Sequence, residues 1–227
     1  MKKAAGRIIA IALCFIMVIQ TMVIGGFSFL ASASTGVLYQ TDFSTDFNSL
    51  KASGLWDVET DQRNDGNAPT LNGAMVMDTK DSVKFNWTSV DGVGAYSTEM
   101  VYTFDFDVKV TDEGNGNKWT GPDHTRILYA AFGGWYNQVE INNKDGKLRA
   151  GDNLSVNYNS NTFKNKTVHV KLSLQGTTAT TIITDSNGAE IAKGTRSNGD
   201  YSNMTQKIQS TDVAPAMTYL VIRCEDG

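Results

Sequence analysis

The sequence has little cysteine, no segment of helical length with a clear apolar stripe, and no proline- or serine-rich linker. Its two cysteines are Cys14, which lies in an apolar N-terminal run, and Cys224. A single cysteine outside that run cannot form an intramolecular disulfide, which excludes a disulfide-rich scaffold. The absence of a linker predicts one domain, and a hydrophobic core alone must stabilise it.

The N-terminal residues have the three parts of a secretory signal peptide. The positive end contains Lys2, Lys3 and Arg7. An apolar run then extends from Ile8 to about Leu30, and the small residues ASAS follow at positions 31 to 34. This order predicts a secreted protein that acts outside the cell or at its surface.

We predict cleavage after Ala33, where small residues satisfy signal peptidase. Residues 1–33 are then the signal peptide, and residues 34–227 form a single mature domain. An uncleaved membrane anchor is the alternative, because the apolar run is long enough to span roughly 30 Å of hydrocarbon. The Gly25-Gly26 pair would weaken a membrane helix, which favours cleavage.

The charge of the mature domain excludes some partners. Cleavage removes three of the 20 basic residues and none of the 24 acidic residues, which leaves a net charge of −7. Nucleic acid and anionic membranes are poor partners for such a surface. We therefore expect no nucleic-acid partner and, after signal cleavage, no membrane partner. The oligomeric state is left open.

Apolar residues alternate along several short segments, which is typical of β-strands. In YTFDFDVKV (102–110) and VHVKLSL (168–174), every second residue is apolar. Segment 180–194 reads as two strands around Asn187-Gly188, a dipeptide suited to a type I′ turn. Further strands are predicted at 36–43, 55–59, 74–78, 82–87 and 218–224. Short strands separated by turn residues predict an all-β fold with an antiparallel sandwich or barrel.

The alternation also predicts which side chains form the core. The predicted core residues are Phe104, Phe106, Val108, Leu128, Val139, Ile141, Val170, Leu172, Leu220 and Ile222. Three loops rich in Asn, Gly and Asp, at 61–73, 112–124 and 151–166, are expected to connect the strands. Loops on a rigid β scaffold often carry binding residues.

The order of these segments resembles a known superfamily. The pieces "VLYQTDFSTDF", "AAFGGWYNQVEI", "VHVKLSLQGTTATTIITDSNG" and "YLVIRCEDG" are similar to the concanavalin A-like lectin/glucanase superfamily, laminin G-like jelly rolls in particular. The resemblance spans most of the mature chain. It implies a two-sheet antiparallel jelly-roll sandwich and a non-catalytic module that binds polysaccharide or glycan, or that mediates adhesion.

The resemblance also implies a last strand that returns beside the first one. The sequence stops at Gly227, where a turn into that strand would begin. We expect the last strand to be missing or to be supplied from beyond Gly227, as in a fragment of a longer extracellular protein. Without it, the first strand, Val37 to Phe43, would have an unpaired edge.

The hairpin RILYAAFGGWYNQVEI (126–141) contains most of the candidate ligand-binding residues. With a two-residue turn at Gly133-Gly134, Tyr129 faces Gln138; with a four-residue loop, Tyr129 faces Glu140. Both registers put Leu128, Val139 and Ile141 on the core face, because directly opposite residues share a face of the sheet. Tyr129, Gln138 and Glu140 are then predicted on the solvent side, which in this superfamily is often the concave side that faces the sugar.

Aromatic faces bind the C–H surfaces of sugars, and planar polar groups bind their hydroxyls. Trp56 is one aromatic residue that supplies this chemistry, although an aromatic residue near a loop packs in a core more often than it contacts a ligand. The candidate ligand-binding residues are Tyr129, Gln138, Glu140, Tyr136, Trp135, Trp119, Arg126, Asn157 and Tyr158.

An enzyme is the alternative class, and a structural cell-surface interaction domain is the third. Glycosidases need two carboxylates roughly 5 to 9.5 Å apart, and Asp105 and Asp107 share one strand face. The glucanase motif Glu-x-Asp-x-x-Glu is missing after Glu140, and His169 with Gln138 and Tyr129 matches a polysaccharide lyase only loosely. We therefore assign no catalytic residue and favour a non-catalytic module over a glycoside hydrolase or lyase.

The sequence predicts no cofactor, although a structural calcium ion is compatible with Asp42 and Asp46 near the first strand. Turn formation explains these two aspartates as well. The metal-binding residues are therefore left unassigned. Cys224 is predicted to be a small core residue rather than a nucleophile.

Overall fold

The computed structural model describes residues 21–31, 37–59, 68–78, 81–94, 96–97, 99–110, 126–132, 136–142, 147–151, 153–157, 166–176, 178–197 and 219–224. For several residues of β1, β8, β9, β10 and β11, defined below, it describes the backbone alone. None of the helices in this part of the chain is long and apolar enough to cross a membrane.

The described elements are mostly strands. They are β1 (Thr21–Ala31), β2 (Tyr39–Thr41), α1 (Phe47–Ala52), β3 (Trp56–Val58), β4 (Thr70–Leu71), β5 (Met75–Asp78), β6 (Ser82–Phe85), a 3₁₀ turn (Trp87–Ser89), β7 (Val101–Val110), β8 (Arg126–Phe132), β9 (Tyr136–Asn142), β10 (Lys147–Ala150), β11 (Asn153–Asn157), β12 (Thr167–Gln175), β13 (Thr178–Asp185), β14 (Glu190–Ser197) and β15 (Leu220–Arg223). The mostly β composition confirms the predicted all-β class.

The strands form two antiparallel sheets. In the first sheet the order is β14-β13-β12-β7-β1-β5-β4, and β2 pairs with β1 beside this path. In the second sheet the order is β11-β10-β9-β8-β15-β6-β3. Aromatic rings from the two sheets contact each other, with Phe27 4.8 Å from Phe85 and Phe104 5.4 Å from Phe132 between ring centroids. The facing sides of the sheets therefore share one core.

The predicted core is confirmed wherever the structure describes the side chain. Phe104, Phe106, Val108, Val139, Val170, Leu172, Leu220 and Ile222 are all buried. The side chains of Leu128 and Ile141 lie outside the described part, although the backbone pairs these two residues in register. Cys224 is also buried, as predicted. Alternation identified the core because each strand keeps one face on it.

The structure includes residues 21–31 as β1, inside the segment predicted to be the signal peptide. This strand lies between β7 and β5 in the first sheet. It also pairs with β2, so the edge of Tyr39–Thr41 that faces β1 is paired in this structure.

The hairpin between β13 and β14 has a different turn from the one predicted. A type I′ turn needs a positive φ at both central residues, and Asn187 does not have one in the described backbone, whereas Gly188 has φ +83°. The carboxylate of Asp185 accepts hydrogen bonds from the backbone N–H groups of Asn187 (2.8 Å) and Ala189 (2.9 Å). These bonds stabilise a wider loop, so the prediction of a two-residue type I′ turn is wrong.

The two sheets approach closely where β14 passes β10. A methyl group added at Gly194 would lie 1.8 Å from the carbonyl oxygen of Ala150. The Asn153 side chain also donates a hydrogen bond of 3.1 Å to the carbonyl oxygen of Lys193. Only glycine fits at position 194, because a neighbouring backbone occupies the space of a Cβ atom.

We expect Gly194→Ala to lower the free energy of unfolding by about 1–3 kcal/mol, as overpacking does in other proteins. Urea denaturation followed by tryptophan fluorescence measures the change. Lys193→Ala is the control, because Lys193 is exposed on the same strand and its substitution removes no packing. Equal stability of the two variants would show that the sheets do not touch at Gly194.

A second prediction concerns Tyr96, whose hydroxyl donates a hydrogen bond to the carbonyl oxygen of Gly176. Burial, with a smaller contribution from Tyr102, raises the pKa of Tyr96 from 10.0 to about 12. The stability contributed by the neutral phenol is therefore fully present below pH 10.0 and is lost as the pH rises through about 12. The urea concentration at the midpoint of unfolding should decrease as the pH is raised from 10.0 to about 12, and Tyr96→Phe should make that decrease smaller. An equal decrease in Tyr96→Phe would contradict the raised pKa of Tyr96.

Candidate functional site

The structure describes six of the nine candidate ligand-binding residues, five of them by backbone alone. Arg126 and Tyr129 lie in β8, and Tyr136, Gln138 and Glu140 lie in β9. Asn157 ends β11, on the far edge of the same sheet. The predictions for Trp119, Trp135 and Tyr158 fall outside the described residues.

The register of the β8–β9 hairpin matches the four-residue-loop alternative around Tyr129 and neither alternative nearer the turn. Tyr129 pairs with Glu140 and Ala130 pairs with Val139, as expected for the longer loop. The register then shifts between Ala130 and Ala131, so that Gln138 has no opposite residue on β8. A β-bulge at this point changes the direction of the strand before the hairpin turn.

Tyr129 lies in a line of polar positions across the second sheet, on the face directed away from the core. Its register partner on one side is Glu140, which pairs in turn with Arg149 of β10. On the other side Tyr129 pairs with Arg223 of β15, and Arg223 pairs with Ser82 of β6. The backbone N–H of Glu59 bonds to the carbonyl oxygen of Ser82. We call these six residues, Arg149, Glu140, Tyr129, Arg223, Ser82 and Glu59, the charged row.

Ion pairs occupy both ends of the charged row. At one end Arg223 contacts Glu59 Oε2 through Nη2 (2.6 Å) and Nε (2.7 Å). Ser82 donates a hydrogen bond of 2.8 Å to the same oxygen. At the other end Arg149 Nε lies 3.4 Å from Glu140 Oε2. This second pair is a contact between charges only, because Arg149 Nε is buried and makes no hydrogen bond to the described residues.

Three members of the charged row are buried although the row lies on the face directed away from the core. Arg223 is 3% exposed, Ser82 is 0% exposed and Glu140 is 5% exposed. Glu140 therefore lies on the predicted face of the sheet, but its carboxylate is buried beside Arg149 instead of being exposed to solvent. Buried charges cost free energy unless they are paired, and clusters of them often mark functional sites.

Tyr219 adds an aromatic ring close to the charged row. By strand alternation it lies on the same face as Val221 and Arg223. Burial and the charge of Glu59 raise the pKa of Tyr219, while Arg223 lowers it, and the net direction is upward. Lys84 Nζ lies 6.0 Å from the centre of the Tyr219 ring. This face therefore combines a half-buried ring with charged and hydroxyl groups.

A second polar cluster lies on the outer face of the first sheet. His169 Nε2 is 2.7 Å from Asp105 Oδ1, and His169 Nδ1 is 2.9 Å from Asp107 Oδ1. The imidazole thus engages both carboxylates that were considered as a glycosidase pair. Two carboxylates tied to one imidazole are not arranged as an acid and a base on either side of a sugar.

The lyase arrangement considered from the sequence is not assembled. His169 lies in β12 of the first sheet, whereas Tyr129 and Gln138 lie in β8 and β9 of the second sheet. Trp56 is not a surface platform either. It is 1% exposed in the core, and its indole N–H donates a hydrogen bond of 2.8 Å to the Tyr39 hydroxyl.

Asp42 and Asp46 make local contacts that account for their positions. Asp46 accepts a hydrogen bond of 3.0 Å from the backbone N–H of Ser49 and caps α1. Asp42 accepts one of 3.0 Å from the N–H of Ser44. Hydrogen bonds from the serine side chains, of Ser44 to Asp42 and of Ser49 to Asp46, lower the pKa of both aspartates, and these backbone N–H groups add to the effect. Within the described ranges, no three His, Cys, Asp or Glu side chains are grouped to hold a metal ion.

Reasoning from the sequence missed Arg149, Arg223, Ser82, Glu59 and Tyr219. One signal was present: Arg223 interrupts the apolar strand YLVIRC (219–224), where a charged residue is unusual. No protein-family model, curated protein or solved structure matches this chain. The function is therefore inferred from the geometry of the charged row.

Proposed function

We propose that this protein is a secreted, non-catalytic carbohydrate-binding or adhesive module that acts outside the cell or at its surface. Its polysaccharide or glycan ligand would bind on the face of the second sheet that carries the charged row. In this proposal the two sheets form a jelly-roll sandwich similar to those of the concanavalin A-like superfamily. The contacts between rings of the two sheets support that architecture.

One observation carries the proposal: Tyr129 lies in register between Glu140 and Arg223, two charged residues held on the same face. A phenol ring packs against the C–H face of a sugar, whereas Glu140 and Arg223 are buried in ion pairs and hold the strands on either side of Tyr129. Because both charges have partners of opposite sign, the face favours a neutral sugar over a strongly acidic one.

The neighbouring Tyr219 extends this face toward β6. Its ring is half-buried, and Lys84 approaches it from β6. Two rings at separate positions on one face of a sheet can contact separate units of one polymer, which a single ring cannot. The face therefore fits a chain of sugars better than a monosaccharide.

A glycan array and a pull-down with insoluble polysaccharides test the proposal on the purified secreted protein. Tyr129→Leu and Tyr219→Leu keep apolar volume but remove the ring, and each should weaken binding about tenfold or more, equivalent to about 1.4 kcal/mol. Lys171→Ala is the control, because Lys171 is exposed on the other sheet. Equal binding by all three variants would place the ligand elsewhere.

The same experiment separates the two alternative functions. A polysaccharide hydrolase or lyase would release product, and Glu140→Gln or Asp105→Asn would abolish that release. A structural interaction domain would bind none of the glycans. The contact of His169 with both Asp105 and Asp107 favours the non-catalytic function.

A further inference from the structure

The strand β1 fills an internal position of the first sheet with residues that the sequence assigns to the signal peptide. It pairs antiparallel with β7 from Met22 to Ala31. On its other side it pairs with β5 from Thr21 to Ile24 and with β2 from Phe27 to Phe29. Cleavage after Ala33 would therefore leave a gap inside the sheet rather than shorten its edge.

The side chains of β1 complete the hydrophobic core. Ile24, Phe27 and Phe29 are each 0% exposed. The ring of Phe27 lies 5.1 Å from Trp56, and the ring of Phe29 lies 4.8 Å from Phe104. Without β1 the sheet would contain an apolar groove, lined by such rings and bounded by unpaired backbone groups of β7 and β5.

The outer side of β1 also restricts what can occupy the groove. Gly25 lies opposite Asp107 and Ser28 lies opposite Asp105. The register shifts between Gly25 and Phe27, and Gly26 there has φ +36°. An occupant therefore needs apolar residues toward the core, small or polar residues toward the aspartates, and a bulge between them.

Among the described strands, β3 to β15 cannot fill the groove without leaving their own partners, because each pairs with a neighbour other than β1. β2 pairs with β1 alone, but its three residues are too few to replace the eleven residues of β1. Unpaired N–H and C=O groups at a strand edge favour pairing with a further strand. Strand addition to such an edge is an established form of peptide recognition, with main-chain hydrogen bonds for affinity and side-chain pockets for specificity.

We propose that, after the signal peptide is removed, the groove between β7 and β5 accepts an extended strand from another polypeptide. This strand runs antiparallel to β7, as β1 does. It places one aliphatic and two aromatic side chains where Ile24, Phe27 and Phe29 lie. The inference rests on cleavage after Ala33. It is independent of the glycan proposal, whose residues lie on the second sheet.

The test begins with the full chain expressed in a secreting host, followed by mass spectrometry of the purified protein. We expect a mature N-terminus at Ser34. A labelled synthetic peptide, TMVIGGFSFLA (21–31), is then the probe. It should bind with 1:1 stoichiometry and raise Tm by about 5–10 °C when its free concentration is about 100 times Kd. The control peptide, with Phe27→Asp and Phe29→Asp, should bind about 100-fold more weakly.

Three results would overturn the proposal. The secreted protein could retain residues 21–31, which would make β1 its permanent strand. The processed protein could be folded and yet bind neither peptide. Two processed copies could pair through their own grooves, which light scattering would show as a dimer that the peptide does not dissociate.

The proposal can be tested even if the protein cleaved after Ala33 does not fold by itself. If it is unfolded, refolding with TMVIGGFSFLA should produce a cooperative thermal transition that the control peptide does not produce. Absence of that transition would also overturn the proposal. Glycan-binding variants such as Tyr219→Leu should bind the peptide normally, so the two proposals fail separately.

Discussion

Phe104→Ala should lower the free energy of unfolding by about 3–5 kcal/mol, a large share of the stability of an ordinary domain. Phe104 is 0% exposed, and its ring lies 4.8 Å from Phe29, 5.4 Å from Phe132 and 5.9 Å from Trp87. Alanine would lose the buried ring and leave a cavity that both sheets line. Urea denaturation followed by circular dichroism measures the loss.

Thr103→Ala is the matched control, because Thr103 is the preceding residue of β7 and faces outward. Its hydroxyl lies 3.4 Å from that of Ser173, a weak surface contact. The control should change stability by no more than about 0.5 kcal/mol. A loss below about 1 kcal/mol for Phe104→Ala would mean that the two sheets do not share a core at this point.

The strands that the sequence predicted best are those whose signal is local. Segments 102–110 and 168–174 alternate without interruption, and they correspond to β7 and β12. Their alternation depends on which side of one strand faces the core, so neighbouring residues contain the information. The predicted first strand, 36–43, is much shorter in the structure, where only Tyr39–Thr41 pairs.

The order of strands within each sheet could not be predicted, because it depends on contacts between distant residues. The pairing of β15 with both β6 and β8 shows this. The contact between Arg223 and Glu59 joins residues 164 positions apart, and no local pattern links them. Tyr129 and Glu140 could be predicted to lie side by side because they belong to one hairpin, 126–141. Arg223, Ser82 and Glu59 could not be added to them, because these residues are remote from the hairpin in the sequence.

The turn at Asn187-Gly188 shows that a dipeptide alone does not determine the type of a hairpin turn. The dipeptide favours a type I′ turn, but the Asp185 carboxylate binds two backbone N–H groups of the loop and stabilises another geometry. Side-chain capping of this kind competes with the intrinsic preference of the turn residues. The position of the hairpin was confirmed, since β13 and β14 are joined there, and only its turn type was wrong.

Arg223→Met should also lower the free energy of unfolding by about 3–5 kcal/mol, but for an electrostatic reason. The Arg223 side chain is 4% exposed, and Glu59 Oε2 accepts from two of its nitrogens. Methionine fills much of the same volume but leaves the Glu59 carboxylate without its cation in a mostly buried place. Urea denaturation at neutral pH measures the effect, and Lys171→Met is the control at an exposed position.

The double variant Arg223→Met with Glu59→Leu distinguishes a charge effect from a packing effect. If Arg223→Met loses stability because the Glu59 carboxylate no longer has its cation, removing Glu59 as well should recover most of the free energy of unfolding. Replacing both members of a buried ion pair by apolar residues is often neutral. The coupling energy from the double-mutant cycle should then exceed about 2 kcal/mol, whereas additivity within about 0.5 kcal/mol would contradict a direct pair. A double variant that regains stability but loses glycan binding would show that these charges are kept for recognition rather than for folding.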